Sequence, residues 1–408
     1  MAWAVAASAL VTVPVLGLAV VGSPASVGAK AEQWPAIPPP GPDDPAASPT
    51  PGAHSAAPAV APQRSTSGPQ TRAITVAFGG DVHGEKQIRR ALEAGEQPLA
   101  GMAPVLAAAD LAIVNLETAL GDGGLPADKR HTFLAPHTLL VALREAGVDV
   151  VSLANNHSLD YGWTTLRGGL ARLADAGLAT VGVGEDAASA YAPHVVEVLG
   201  ARVAVIGLTR VIPRRNWAAG EDRPGLASGY DLRRAAAAVR AGAAAADHVI
   251  VTVHWGTELA GCPDGNQLTL ARVLHEAGAD VVVGHHPHVL QGVDHGPHGL
   301  TAYSLGNLLW YSTGPVTRLS GVLTVTLGPE GVEGWQLHPA VVTPSGSPLP
   351  AGDDDGKRAL ERLELLPGHP TCLHQAPSQP GPPAFVIRDG VGGPLSGEQD
   401  LQPPLPKP

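Results

Sequence analysis

The sequence predicts an α/β layered fold, with mixed β-sheets flanked by helices, and three observations predict it. Short apolar runs of strand length alternate with stretches of helical period through the middle of the chain. Two pairs of adjacent runs, joined only by glycine turns, break that alternation and read as hairpins, so the sheets are mixed rather than purely parallel. The prolines gather at the ends: 27 of 40 lie in residues 1–70 and 344–408, which leaves residues 73–343 as the folded unit.

In chain order, Ile74–Phe78, Leu111–Val114, Val148–Leu153, Ala179–Val183, Val249–Val253 and Val281–Val283 read as buried strands. Thr138–Ala146, Thr164–Ala176, Leu232–Ala246 and Gln267–Ala277 read as the helices between them. The first hairpin joins His194–Val198 to Val203–Ile206 about Gly200, and the second joins Gly321–Leu327 to Val332–His338 about Gly328 and Gly331. Asp110, Asp149, Asp247 and Asp280 each stand between a helix end and a strand, where a polar turn is expected.

The ends behave differently. Residues 1–29 carry no charged side chain, and such an apolar run serves either as a secretory signal or as a membrane anchor. Residues 30–72 are rich in Pro and Ala and read as a spacer that cannot bury enough surface to fold. Residues 344–408 form a Pro-rich tail, interrupted by a short helix around Lys357–Leu365. Together these segments predict an extracytoplasmic chain, anchored or secreted. Cys262 and Cys372 suit that compartment. They form one disulfide or remain two thiols, and neither sits in a Cys-x-x-Cys pair that would hold zinc. A net charge of −11 argues against a nucleic-acid partner.

Chemistry collects just after the strands. The first strand leads into Asp81 and His83, the second into Glu117, the third into Asn155-Asn156-His157, and the later two into His254 and into His285-His286-Pro287-His288. Ligands bind outside the carboxyl ends of strands in an α/β sheet, so these clusters point into one crevice. Carboxylate, imidazole and amide oxygen suit divalent ions such as Mn, Zn or Fe. Two such ions can clamp a phosphoryl group and activate a water. Asp81, His83, Glu117, Asn156, His254, His286 and His288 are the candidate ligands, with Asp81 or Glu117 bridging. His157 is the candidate proton donor to a leaving group. Asp160, three residues on, is placed to orient that imidazole and raise its pKa.

In this order the clusters resemble the calcineurin-like metallophosphoesterase pattern, which implies a metallophosphoesterase-like sandwich. The longer phrases Asn115-Leu116-Glu117-Thr118, Ser152–Gly162, His254-Trp255-Gly256-Thr257-Glu258, Gly284–His288 and Tyr303-Ser304-Leu305-Gly306-Asn307 resemble the CapA family of bacterial capsule synthesis proteins. The resemblance runs from about Ile74 to about Leu309. It implies a role in poly-γ-glutamate synthesis, export or anchoring beside membrane-bound synthase or ligase subunits. Glu117 stands where the wider pattern usually has Asp, and Leu308 where the family usually has Phe. An anionic polymer is repelled at long range by a protein of this charge, so local cations must offset that. Arg210, Arg214 and Arg215 are the candidates for contacting its carboxylates.

Overall fold

A computed structural model describes residues 72–121, 123–311 and 314–373. The N-terminal segment 1–29, most of the spacer and the end of the tail lie outside the described residues. No helix among the described residues is long and apolar enough to cross a membrane.

Two mixed sheets carry the fold. The first has the order Pro348–Pro350, Gly331–Val342, Leu319–Gly328, Ile74–Val82, Leu111–Leu116, Val150–Ser152, Ala179–Val181, with Asn307–Leu309 paired to the end of Ile74–Val82. Its last four strands in that order run parallel, and the Leu319–Gly328 and Gly331–Val342 hairpin adds antiparallel strands. The second has the order Val293–Gly296, Gly299–Ala302, Val281–His285, His248–His254, Ala201–Thr209, His194–Val198. Its four inner strands are parallel and both edges antiparallel.

Alternation along the strands sorts the core into layers. Val76, Phe78, Ile113 and Val150 from the first sheet meet Val203, Val205, Ile250, Val281 and Val283 from the second in one apolar layer. The alternate residues Ala77, Ala112, Val114 and Val151 face outward against the helices that contribute Ile88, Leu139, Leu143, Leu166 and Leu173. On the far side Ala204, Ile206, Val249, Val251 and Val282 meet Val239, Leu270 and Leu274 of helices Leu232–Ala245 and Gly265–Ala277. With few aromatic residues available, Val, Leu, Ile and Ala fill these layers.

The four aspartates do more than turn the chain. Oδ2 of Asp110, Asp149, Asp247 and Asp280 accepts the backbone N–H of Thr75, Ala112, Arg202 and Val249 respectively. Each carboxylate thus ties the amino end of its own strand to that of the neighbouring parallel strand, at the pole opposite the candidate site.

The folded part continues past the expected boundary at residue 343. Pro348–Pro350 adds a strand to the first sheet, and helix Asp353–Arg362 buries Ala359 against the inter-sheet layer. That helix begins four residues earlier than expected, because Asp353, Asp354 and Asp355 favour a helix amino terminus. Cys372 is joined to Cys262 in a disulfide, which settles the open alternative for these cysteines.

Candidate metal centre

Asp81 is the last residue but one of the first strand, just past a shift of register between Phe78 and Asp81. Gly80 permits this: a Cβ there would stand 2.2 Å from the carbonyl oxygen of Gly306. Asp81 Oδ1 accepts from Asn115 Nδ2 at 2.8 Å, while Oδ2 lies 3.1 Å from His288 Nδ1 and accepts the His286 N–H at 3.3 Å. The first sheet is thereby joined to the loop that follows Val281–His285 of the second.

Glu117 sits at the centre, fully buried, one residue past the second strand. Its Oε1 lies 3.5 Å from His254 Nε2 and 3.9 Å from both His288 Nε2 and His157 Nε2. Neither carboxylate oxygen has a hydrogen-bond partner. Burial, then the charge of Asp81, raises its pKa well above the usual range. Donor atoms of Glu117, His254 and His286 lie within 4.8 Å of one another, and so do those of Asp81, Glu117 and His288. Asn156 Oδ1 is 2.8 Å from His254 Nε2, beside the first of these groups. Two donor groups that share one carboxylate fit a pair of divalent ions, and an orphaned buried carboxylate is what such a pair would satisfy.

The histidines differ electrostatically. Burial, then neighbouring histidines, hold His254 well below its ordinary pKa and bring His286 down to about 4. Burial would also lower His288, but its hydrogen bond to Asp81 raises it. Burial pushes Asp81 up, yet the neighbouring imidazoles of His285 and His288, with Nδ1 atoms 3.5 and 3.1 Å from its oxygens, hold it well below the carboxylate range. Neutral imidazoles are the form that binds metal.

His157 stands beside this set with Nδ1 2.6 Å from Asp160 Oδ2, as the spacing of three predicts. The same Oδ2 accepts the Phe133 N–H at 2.7 Å, and the Phe133 ring stacks on His157 with centroids 4.0 Å apart. The expected rise in the His157 pKa is not found. Burial, then the Lys129 ammonium, pushes it well below the ordinary value. Lys129 Nζ pairs with Asp160 Oδ1 at 2.6 Å and donates to the Asn156 carbonyl. Burial lifts Asp160 to about 7 against the pull of Lys129.

His83 is buried nearby but belongs to neither donor group. Its Nδ1 faces the N–H of Glu85 at 3.0 Å, and its Nε2 faces that of Tyr311 at 3.3 Å. Arg210 turns away, donating to the Asn266 carbonyl and lying over the Tyr230 ring. Arg214 borders the centre through Asp128, whose carbonyl it contacts at 2.9 Å, next to Lys129; Arg215 is exposed. Sequence reasoning did not single out Lys129, Glu258, Asn115 or Asn307. Asn307 Oδ1 lies 3.0 Å from His288 Nδ1, and the phrase that carries it was the available signal.

The fold and site define a layered α/β protein with a histidine–carboxylate donor centre at converging strand ends. Residues 75–312 match the family model for bacterial capsule synthesis protein PGA_cap, and the chain belongs to that family. The capsule biosynthesis protein CapA of Bacillus anthracis is 34% identical over 226 residues, 55% of this chain and 55% of that one. The PGA biosynthesis protein CapA of Bacillus subtilis is 27% identical over 297 residues, 72% of this chain and 77% of that one. A probable polyglutamine synthesis accessory protein of Mycobacterium tuberculosis is 34% identical over 195 residues, 44% and 50% of the two chains. The chain therefore spans about half the length of the first and third of these relatives.

Proposed function

We propose that this protein acts on capsule or envelope polymer outside the cytoplasmic membrane, through a two-ion centre that hydrolyses or transfers poly-γ-glutamate chains. The observation that carries this reading is Glu117: a buried carboxylate, without a hydrogen-bond partner, shared by two sets of donors. Asp81, Glu117, Asn156, His254, His286 and His288 would hold the ions. Divalent ions such as Mn, Zn or Fe supply Lewis acidity toward a carbonyl or phosphoryl oxygen and activate water when bound. His157, neutral and with its Nε2 lone pair on the site, takes a proton there and can return it to a leaving amine. Asp160 keeps the imidazole in that orientation. Arg214 and Lys129 place positive charge beside the centre, where a polycarboxylate needs it.

The disulfide supports an extracytoplasmic location, since such bonds persist in oxidising compartments. The uncharged apolar residues 1–29 and the spacer behind them agree with it. The natural partners would then be the anionic polymer and membrane-bound synthase subunits.

The test is metal analysis of the full chain by mass spectrometry, followed by incubation of the loaded protein with poly-γ-glutamate. Two ions per chain and polymer shortening with new amine ends, lost in His157→Gln, are expected. Polymer retention without shortening would turn the reading to a binding or assembly subunit. Cleavage of phosphoesters alone would turn it to a general phosphoesterase.

A further inference from the structure

The two halves of the centre are unequally furnished. Glu117, His254 and His286 have the Asn156 amide oxygen beside them, which makes four donors. Asp81, Glu117 and His288 make three. His83 would be the fourth by its place in the sequence, yet backbone N–H groups face both of its ring nitrogens, and a neutral imidazole can accept with only one. Its ring is also wedged among Trp310, Tyr311 and Phe133, with centroids 4.2, 4.7 and 5.0 Å away. To reach an ion it would have to leave that box.

Another carboxylate is already in reach. Donor atoms of Glu258, His286 and His288 lie within 4.8 Å of one another, and Glu258 is exposed at the open side. Nδ1 of His286 in this group is buried and has no hydrogen-bond partner. The loop that carries Glu258 is held at several points, although Thr257, Glu258 and Leu259 are all exposed. The Leu259 N–H donates to the Pro287 carbonyl at 2.9 Å, between the two histidines. Leu259 adopts φ 62°, a conformation that costs a non-glycine residue on the order of 1 kcal/mol and so has to be imposed by its surroundings. Gln291 Nε2 donates to the carbonyls of Ala260 and Cys262 at 2.9 and 3.1 Å. Gln291 in turn accepts from Gln267 Nε2 at 2.9 Å, and Gln267 Oε1 accepts the Asp264 N–H at the start of its helix. The disulfide to Cys372 closes the far end of the loop.

We propose that Glu258 is a metal ligand at the open side of the centre, supplying beside His288 the donor that His83 withholds, and that the Cys262–Cys372 disulfide seats the loop that presents it. This rests on the two-ion reading above.

The test is calorimetric titration of the full, metal-stripped chain with Mn²⁺, with bound ions counted by electron paramagnetic resonance. The wild type is expected to bind two ions. Glu258→Gln is expected to keep one site and weaken the other about tenfold or more, the scale at which a lost metal-site partner is felt. His83→Phe, which preserves an aromatic ring in its box, should hold both ions within about threefold of wild type. Removing both cysteines as Cys262→Ser with Cys372→Ser should weaken the same site, with no further loss when Glu258→Gln is added. Unchanged binding in Glu258→Gln, or loss of an ion in His83→Phe, overturns the proposal while leaving the two-ion centre intact. A wild type that binds no Mn²⁺ overturns the two-ion reading itself.

Discussion

Nδ1 of His157 lies 2.6 Å from Oδ2 of Asp160, a contact that favours Nε2 as the free nitrogen of the imidazole. An ionised Asp160 only accepts, which favours the hydrogen on Nδ1 and the lone pair on Nε2 toward Glu117, against the Lys129 ammonium 3.3 Å from the same Nδ1. Asp160→Asn is expected to lose this tautomer preference and, with it, about a hundredfold of any hydrolytic rate. Long-range ¹H–¹⁵N spectra of the histidines read the tautomer directly. Because Asp160 titrates near 7, the wild-type spectrum should drift toward that of the variant as pH falls through about 7. A His157 signal that is the same in both proteins at pH 8 would remove Asp160 from this role.

Glu117 makes metal uptake depend on pH. Its raised pKa means that a proton leaves when ions bind, so apparent affinity should fall as pH is lowered. Calorimetry in two buffers of different ionisation enthalpy measures the protons released. The sign for stability is opposite. An acid whose folded pKa is raised contributes stability below its unfolded value and loses it as pH rises through the folded one. The stability that Glu117 contributes to the metal-free protein should therefore shrink as pH rises, and Glu117→Gln should remove that part of the pH dependence, stabilising the metal-free form by about 1–3 kcal/mol while abolishing the gain on adding Mn²⁺.

Asn307 holds His288 twice, with Oδ1 3.0 Å from its Nδ1 and Nδ2 donating to its carbonyl at 3.2 Å. His288 itself sits at φ 55°, so both its backbone and its ring depend on that support. Asn307→Ala should lower metal affinity by about 10–100-fold with a smaller effect on the melting temperature. Equal affinity in variant and wild type would show that Asp81 alone orients the ring.

The disulfide closes a separation of 110 residues. Loss of so long a constraint on the unfolded chain costs about 4–5 kcal/mol in the chain-entropy account. Denaturation of the double serine variant under non-reducing conditions measures it. A midpoint unchanged from wild type would mean that the unfolded chain is compact enough not to need the tether.

Much of this protein can be read along the chain. Strand and helix periods depend on neighbours two to four residues apart, so the alternating elements from Ile74 to Ala277 stand in the sequence nearly as they stand in the fold. Asp81, Glu117, Asn156, His254, His286 and His288 could be named because each follows a strand, and parallel strands bring their carboxyl ends to one edge. What the sequence could not supply depends on contacts across long separations. His83 has the right residue type at the right spacing, but Tyr311, more than two hundred residues on, faces its ring nitrogen. Lys129 sits in a loop with no motif and becomes a partner of Asp160 only when the chain folds back. Arg210 lies close to His254 in space, yet its side chain follows Tyr230 and Asn266 away from the centre. The pairing of Cys262 with Cys372, and the direction of the His157 shift, were likewise decided by packing. The sequence by itself determined which chemical groups arrive at the strand ends. Tertiary structure decided which of them remain free to bind, because burial and distant backbone donors satisfy some side chains and leave others without partners.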